Sequence, residues 1–306
     1  MDTLRGIESF VRAVELGSIA AAARRLGISP AAASQNIARL EEHLGARLLT
    51  RTTRSLALTD SGEVYFQQVK AIVQELELAK QAVSAVHGGV QGKLCVASSA
   101  AFGRHVLAPL IPGFNQLYPR IHIELITTDR RVGHIREGID VSIRIRQQLE
   151  DSLVARRIAT VPTLFCAAPS YLEKAGSPET PEALRQHDCL VFRLPVDGRL
   201  LRWGFIRNGE RIEPEVRATM VSDDIDVLAR MAIAGGGITR LAAFVAEPYI
   251  ASGQLRQLFH HGHAPDVEAE AEPLDFYFCV ADRHAKTPKV QAFMNYLLDN
   301  LPARWQ

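Results

Sequence analysis

Ser18 to Leu44 reads SIAAAARRLGISPAAASQNIARLEEHL, and the rest of the chain is understood outward from this stretch. Ser18 is an N-cap residue placed before the alanine-rich run Ile19 to Leu26, and alanine is the best helix former. Gly27 stands where a helix closes on a left-handed residue. Ser29-Pro30 then restarts a helix, because proline lacks only an N–H that a first turn leaves unbonded. That helix runs to about Leu44, where Gly45 stops it. Two helices joined by a turn of three or four residues with a glycine form a helix-turn-helix.

Upstream, Ile7, Phe10, Val11 and Val14 recur at helical spacing until Gly17. Downstream, Leu48 to Leu58 alternates leucine and threonine, which predicts a small β-hairpin or wing with Arg51 and Arg54 near its tip. Asp60 and Glu63 form a D-x-x-E capping box. The apolar positions Tyr65, Val69, Ile72, Leu76, Ala79, Val83 and Val86 then follow in steps of four and three. Such spacing over three heptads predicts a pairing seam on a helix roughly 40 Å long. Val64, Phe66, Val73 and Leu78, outside the seam, support the other outcome, a helix packed on its own domain. His87-Gly88-Gly89 ends it as a hinge.

From Gln91 strands alternate with helices. Leu94 to Ser98, Ile121 to Thr127 and Ile139 to Ile145 read as strands, separated by helices at Arg104 to Leu117 and Val132 to Glu137. This βαβαβ order implies a parallel sheet with right-handed crossovers. A second unit begins at Thr163 to Ala168, with helices near Ser170 and Pro181, strands near Leu190 and Trp203, and a helix from Asp223 to Ala234. Phe276 to Val280 and the helix Pro288 to Leu301 return to the first unit. The expected division is a DNA-binding head at 1–59, a linker helix at 60–90 and a two-lobed α/β domain at 91–306. Lobe I covers about 91–161 and 268–306, and lobe II about 162–267. Two such lobes enclose a cleft of the kind that holds small ligands.

At 306 residues, 47% apolar and 23% charged, the chain is an ordinary globular protein of about two domains. The net charge of +1 excludes nothing, but residues 1–58 hold eight arginines and no lysine against five acids. Guanidinium groups suit phosphates and guanine edges better than ammonium does. No basic segment followed by an apolar stretch opens the chain, and no apolar run reaches about 18 residues, so a cytoplasmic protein without a membrane span is expected. Cys95, Cys166, Cys189 and Cys279 are widely separated in strand-like contexts, which favours buried free thiols over a zinc site, a disulfide or a redox pair. His260-His261-Gly262-His263 looks like a metal tract, yet the proline and acids that follow favour a solvated loop. No metal, cofactor or catalytic spacing is found, so neither an enzyme nor a transport component on a two-lobed α/β fold is the favoured outcome, although both are open.

Taken together, the chain resembles the LysR-type transcriptional regulators. The residues that carry the likeness are Phe10, Gly17-Ser18, Ala21 to Ala23, Leu26, Ser29-Pro30, Ser34, Ile37, Leu40-Glu41, Leu44-Gly45, Leu48-Leu49, Arg51-Thr52 and Leu58-Thr59 with Gly62. It resumes in Phe114 to Pro119, Gly138 to Arg144, Pro169 to Leu172 and Gly235 to Ile238, and so spans nearly the whole chain. The resemblance implies an α-helical winged helix-turn-helix, a dimerising linker helix and a periplasmic-binding-protein-like effector domain. It also implies homodimers or homotetramers on double-stranded DNA sites of the T-N11-A kind.

A recognition helix presents its N-terminal turns to the major groove. Ser29, Pro30, Ala31, Ala33, Ser34 and Gln35 occupy those turns, with Arg39 further along. The alanines leave room for thymine methyls, and Gln35 is able to bridge adenine N6 and N7, where many relatives carry arginine. Arg51 and Arg54 suit phosphate or minor-groove contact. For an anionic small-molecule effector, Ser98, Ser99, Thr127 and Thr128 are placed in the cleft by the resemblance, since strand ends leading into helices offer hydroxyls and free N–H groups. Arg144 and Arg146 alternate on one strand and are expected to add positive charge from one side. Gly237 borders the ligand or serves a tight turn.

Overall fold

The computed structural model describes residues 3–51, 56–259, 269–282 and 285–306, and for 51, 74 and 77–88 the backbone alone. The head is built from α1 (Thr3–Glu15), α2 (Ile19–Leu26) and α3 (Pro30–Leu44), followed by β1 (Leu49–Arg51) and β2 (Leu56–Leu58) paired antiparallel. The predicted punctuation is in place. Ser18 Oγ accepts from Ala21 N–H, Ser29 Oγ accepts from Ala32 N–H, and Gly27 and Gly45 close their helices at φ 67° and 64°. Phe10, Val11, Ala22, Ala33, Ile37, Leu40 and Leu48 are buried in the head's core.

α4 (Asp60–Gly88) leads out of the head. Its cap is Thr59 rather than the expected Asp60, since Thr59 Oγ1 accepts from Gly62 N–H at 2.9 Å and donates to the Arg47 carbonyl. The expectation of one continuous seam needs correction in the first half of this helix. Val69 and Val73 are buried in the head's core, with Tyr65 and Phe66 packed against them, while Ile72 and Val64 are exposed. A three-helix head is too small to close its own core, so the linker's first turns complete it.

Lobe I contains β3 (Gly92–Ser98), α5 (Ala100–Phe102), a π-helical turn at Gly103–Leu107, α6 (Ala108–Leu117), β4 (Ile121–Thr127), α7 (His134–Glu137), β5 (Val141–Ile145) and β6 (Val154–Val161). Lobe II contains β7 (Thr163–Ala167), α8 (Pro169–Ala175), β8 (Cys189–Phe192), β9 (Phe205–Arg207), β10 (Glu210–Ile212), β11 (Ala218–Ser222), α9 (Ile225–Ile233), β12 (Ile238–Ala242), α10 (Ala243–Ala251), β13 (Arg256–Leu258) and β14 (Ala269–Ala271). β15 (Leu274–Val280) and α11 (Pro288–Asn300) return to lobe I.

The lobe I sheet has the order β4-β3-β5-β15-β6, with the expected βαβαβ strands parallel and β15 antiparallel between β5 and β6. Lobe II repeats the plan as β11-β8-β12-β7-β13, beside a small sheet β10-β9-β14. The chain re-enters lobe I at Leu274 rather than near 268, because β14 still pairs with β9. β12 is inserted between β8 and β7, which brings Arg240 and Thr163 together across neighbouring strands.

The four cysteines are buried and unpaired, as read from their contexts. Burial pushes the Cys166 and Cys189 thiols up to about 12 and Cys279 up to about 11, so these three stay protonated and unreactive.

Candidate nucleic-acid interface and effector cavity

α3 divides cleanly into two faces. Ala33, Ile37, Leu40 and Glu41 are buried, whereas Pro30, Ala31, Gln35, Ala38, Arg39 and Glu42 are exposed. The exposed set recurs every three or four residues and therefore lies along one side of the helix. Ser29 is exposed at the cap and Ser34 is half-buried at the margin. Ala33 must be removed from the reading surface, because it is 0% exposed. The Arg51 side chain, Arg54 and the wing tip lie outside the described residues.

One buried side chain couples this helix to the wing. Glu41 Oε1 accepts from the Leu48 and Leu49 N–H groups at 2.8 and 3.0 Å, and its Oε2 accepts from Arg47 at 3.2 Å. Asn36 Nδ2 donates to Ser9 Oγ on α1 at 3.2 Å, which fixes the other side of α3. Glu41 was legible only as part of the family likeness, with no positioning role attached to it.

Between the lobes lies a cavity of about 60 Å³. Phe102, Phe192, Trp203, Phe244 and Phe276 line it together with aliphatic side chains such as Leu201, Leu241 and Leu274, and Ser99, Asp129, Thr163 and Arg240 supply its polar groups. Of the predicted effector residues only Ser99 lines it. Ser98 is wholly buried and its Oγ has no partner, Thr127 is exposed beside Gly103, and Thr128 Oγ1 accepts from Arg130 N–H at 3.3 Å. Arg144 is buried and donates through Nη1 to the Thr128 carbonyl, leaving Nη2 without a partner. Arg146 is exposed beyond the strand, because β5 ends at Ile145, so the two arginines do not share a face. Gly237 has φ 147° and a Cβ there would run into the Asp188 carbonyl, which makes it a structural glycine.

Arg240 and Asp129 are the charged groups that the sequence did not single out. Arg240 is 8% exposed, and its Nε donates to Thr163 Oγ1 at 3.0 Å and Nη1 to the Arg202 carbonyl at 3.1 Å. Its Nη2 reaches the Glu272 carbonyl, so the guanidinium braces both segments by which the chain passes between the lobes. Burial pulls its pKa down to about 10, still far above neutrality, and a cation therefore stands in the cavity wall. Asp129 accepts from Gln148 and from the Ala100 N–H, and burial holds its carboxyl above the usual range. Lobe I and lobe II also meet through Arg104 and His105, which both reach Asp226; His105 Nε2 lies 2.7 Å from Asp226 Oδ1.

Among the described residues no group of three or more histidines, cysteines or carboxylates is placed to hold a metal, and no helix is long and apolar enough to cross a membrane. His260 to His263 lie outside the described residues.

A winged helix-turn-helix head on a long helix, joined to two α/β lobes around a small cavity, defines a DNA-binding regulator with a sensing domain. Residues 4–63 match the family model described as bacterial regulatory helix-turn-helix protein, lysR family, and residues 87–302 match the LysR substrate binding domain. The chain belongs to the LysR family and is a DNA-binding transcriptional regulator. It is 33% identical over 295 residues to the transcriptional regulator CrgA of Neisseria meningitidis serogroup B, covering 95% of each chain. It is 30% identical to the transcriptional activator AaeR of Escherichia coli K12, covering 98% of this chain and 94% of that one. The solved CrgA structure from Neisseria meningitidis superposes with a TM-score of 0.57 at 31% identity, over 97% of this chain and 98% of that one.

Proposed function

We propose that the exposed face of α3 reads double-stranded DNA in the major groove, with Gln35 contacting base edges and Arg39 the phosphates. The observation that carries this is the segregation of Pro30, Ala31, Gln35 and Arg39 on one exposed side of a helix whose other side is sealed in the core. Ser29 and Ser34 flank that face, and Arg51 and Arg54 are assigned to contact with the DNA backbone or minor groove. The units are a head at 1–59, a linker at 60–90 and an effector domain beyond.

The protein acts in the cytoplasm as a homodimer or homotetramer, and as a regulator rather than a catalyst. Exposed Val64 and Ile72 on α4 support pairing through the linker. Its effector is a small, largely apolar molecule with an acidic or acceptor group, since the cavity is lined by aromatic and aliphatic side chains apart from Ser99, Asp129, Thr163 and Arg240. Occupancy changes the angle between lobes and so the spacing of the two heads. An effector does this only through unequal affinity for the two arrangements.

The test is a gel-shift titration of the full chain on the intergenic DNA beside its own gene, at low salt. Saturable binding that resists excess unrelated duplex is expected. Failure to bind at low salt, where phosphate contacts are strongest, refutes the proposal.

A further inference from the structure

The cavity between the lobes is bounded at one end by Thr163 and Arg240, on and beside the interlobe crossovers. Elsewhere its lining includes Phe102 and Ile225, near neighbours in the chain of an ion-pair cluster that spans the lobes. From lobe I, Arg104 and His105 project out of the π-helical turn Gly103–Leu107. From lobe II, Asp226 stands in the first turn of α9 and receives both, with Asp224 at 3.9 Å from Arg104. Adjacent residues of a regular α-helix diverge by about 100° around its axis. A π turn distorts that spacing and is commonly kept at functional places. Here two successive side chains converge on one carboxylate.

The size of the cavity gives this cluster a consequence. About 60 Å³ accommodates a few waters, whereas an engineered apolar cavity that binds benzene measures about 150 Å³. An effector with even one ring enters only when the lobes part. Parting them stretches the Arg104–Asp226 and His105–Asp226 contacts, because these join the two lobes beside the cavity wall.

We propose that Arg104, His105 and Asp226 form an interlobe clasp that holds the effector cavity in its small form and sets how readily an effector opens it. This rests on the effector-binding reading above and names the regulation of that same site. Arg104 is 48% exposed, so the ion pair is screened. Its loss is expected to raise the open population by about two- to fivefold, the effect of one partly exposed pair. The clasp is separable from the fold of α9, because the helix is capped by Asp224, which accepts from the Asp226 and Val227 N–H groups at 2.7 and 3.2 Å.

The experiment uses the full chain, spin-labelled at Gln116→Cys in lobe I and Glu173→Cys in lobe II. Both positions are exposed and the four native cysteines are buried. Labelled protein is diluted into unlabelled protein so that pulsed dipolar spectroscopy reads distances within one chain. The parent should give one interlobe distance, while D226N and, independently, R104Q should each add a longer one. The charge exchange R104D with D226R should restore the single distance. Thermal unfolding confirms that each variant is folded, and R104Q stands as the test if D226N is not.

Unchanged distributions in the folded single variants overturn the clasp, as does a charge exchange that behaves like the singles. Binding of promoter duplex is measured on the same samples. A parent that binds DNA while the single variants show no opening removes the clasp alone, and a parent that binds no DNA removes the regulator reading instead.

Discussion

The head and the effector domain differ in how completely their buried polar groups are paired. In the head, Glu41 has both oxygens engaged, Ser9 pairs with Asn36, and Thr59 bridges the Arg47 carbonyl and the Gly62 N–H. Among the described residues, the buried side-chain atoms without a partner are Ser98 Oγ, His134 Nδ1, Arg144 Nη2, Arg207 Nε and Trp305 Nε1, all in the effector domain. Saturated networks hold one geometry, while a group with spare hydrogen-bonding capacity gains from a rearrangement that satisfies it. The difference suits the two tasks. A groove of fixed width is met by a preset helix, and a ligand is met by a domain able to change.

The strongest way to break this comparison is Glu41→Ala. Two buried N–H groups, those of Leu48 and Leu49, would lose their acceptor at a site that admits little water. Each orphaned donor costs about 1–3 kcal/mol, so the head should lose about 3 kcal/mol of stability. The wing should also lose its fixed angle to α3. Urea unfolding followed by helix signal measures the first and duplex affinity the second. Glu41→Gln, which keeps one carbonyl oxygen, should fall between the two. An unchanged midpoint for the alanine variant means that the head is not held by this network.

The next effect concerns the effector domain and pH. Burial pulls the His134 pKa from 6.5 down to about 4, with the Arg144 charge acting in the same direction. The folded protein therefore keeps this ring neutral where the unfolded chain takes up a proton. Stability is complete above about pH 6.5 and is lost as pH falls toward 4. Between pH 7 and pH 5 this amounts to about 2 kcal/mol. His105 and His187, also lowered by burial, add to the same window. The two tryptophans, Trp203 and Trp305, both lie in the effector domain, so denaturant titrations followed by their fluorescence isolate it. His134→Gln should flatten the dependence, and an equally steep curve assigns the loss to other groups.

What could be read in advance follows the same divide. The helix-turn-helix was legible because its signals are local: Ser18, Gly27, Ser29-Pro30 and Gly45 each act within one turn of chain. Ala33 was misplaced although the spacing Ala33, Ile37, Leu40 marks the buried stripe; its small side chain fits a groove and a tight core equally well. The linker's first half packs on the head because Phe66 and Val73, outside the seam, are needed there. The cavity was legible only at Ser99. Ser98, one residue earlier, points into the lobe instead. Arg240, Trp203 and Phe244 escaped notice because they are far from Ser99 in sequence and reach the cavity only through the position of β12 and the second lobe.

The smallest effect separates reading from holding on the one rigid face. Gln35 and Arg39 are one helical turn apart and both exposed, so removing either leaves the core intact. A glutamine that bridges an adenine discriminates between bases. Gln35→Ala should therefore lower the preference for a cognate duplex over one with that adenine replaced by about 1 kcal/mol, the low end for a single bidentate contact. Affinity for scrambled duplex should hardly move. Arg39→Ala should weaken cognate and scrambled duplexes alike and reduce the slope of log K against log salt by about 1, the mark of one lost phosphate contact. Fluorescence anisotropy at several salt concentrations measures both. If Gln35→Ala instead weakens every duplex equally, this side of α3 only grips the backbone, and base reading belongs to another part of the head.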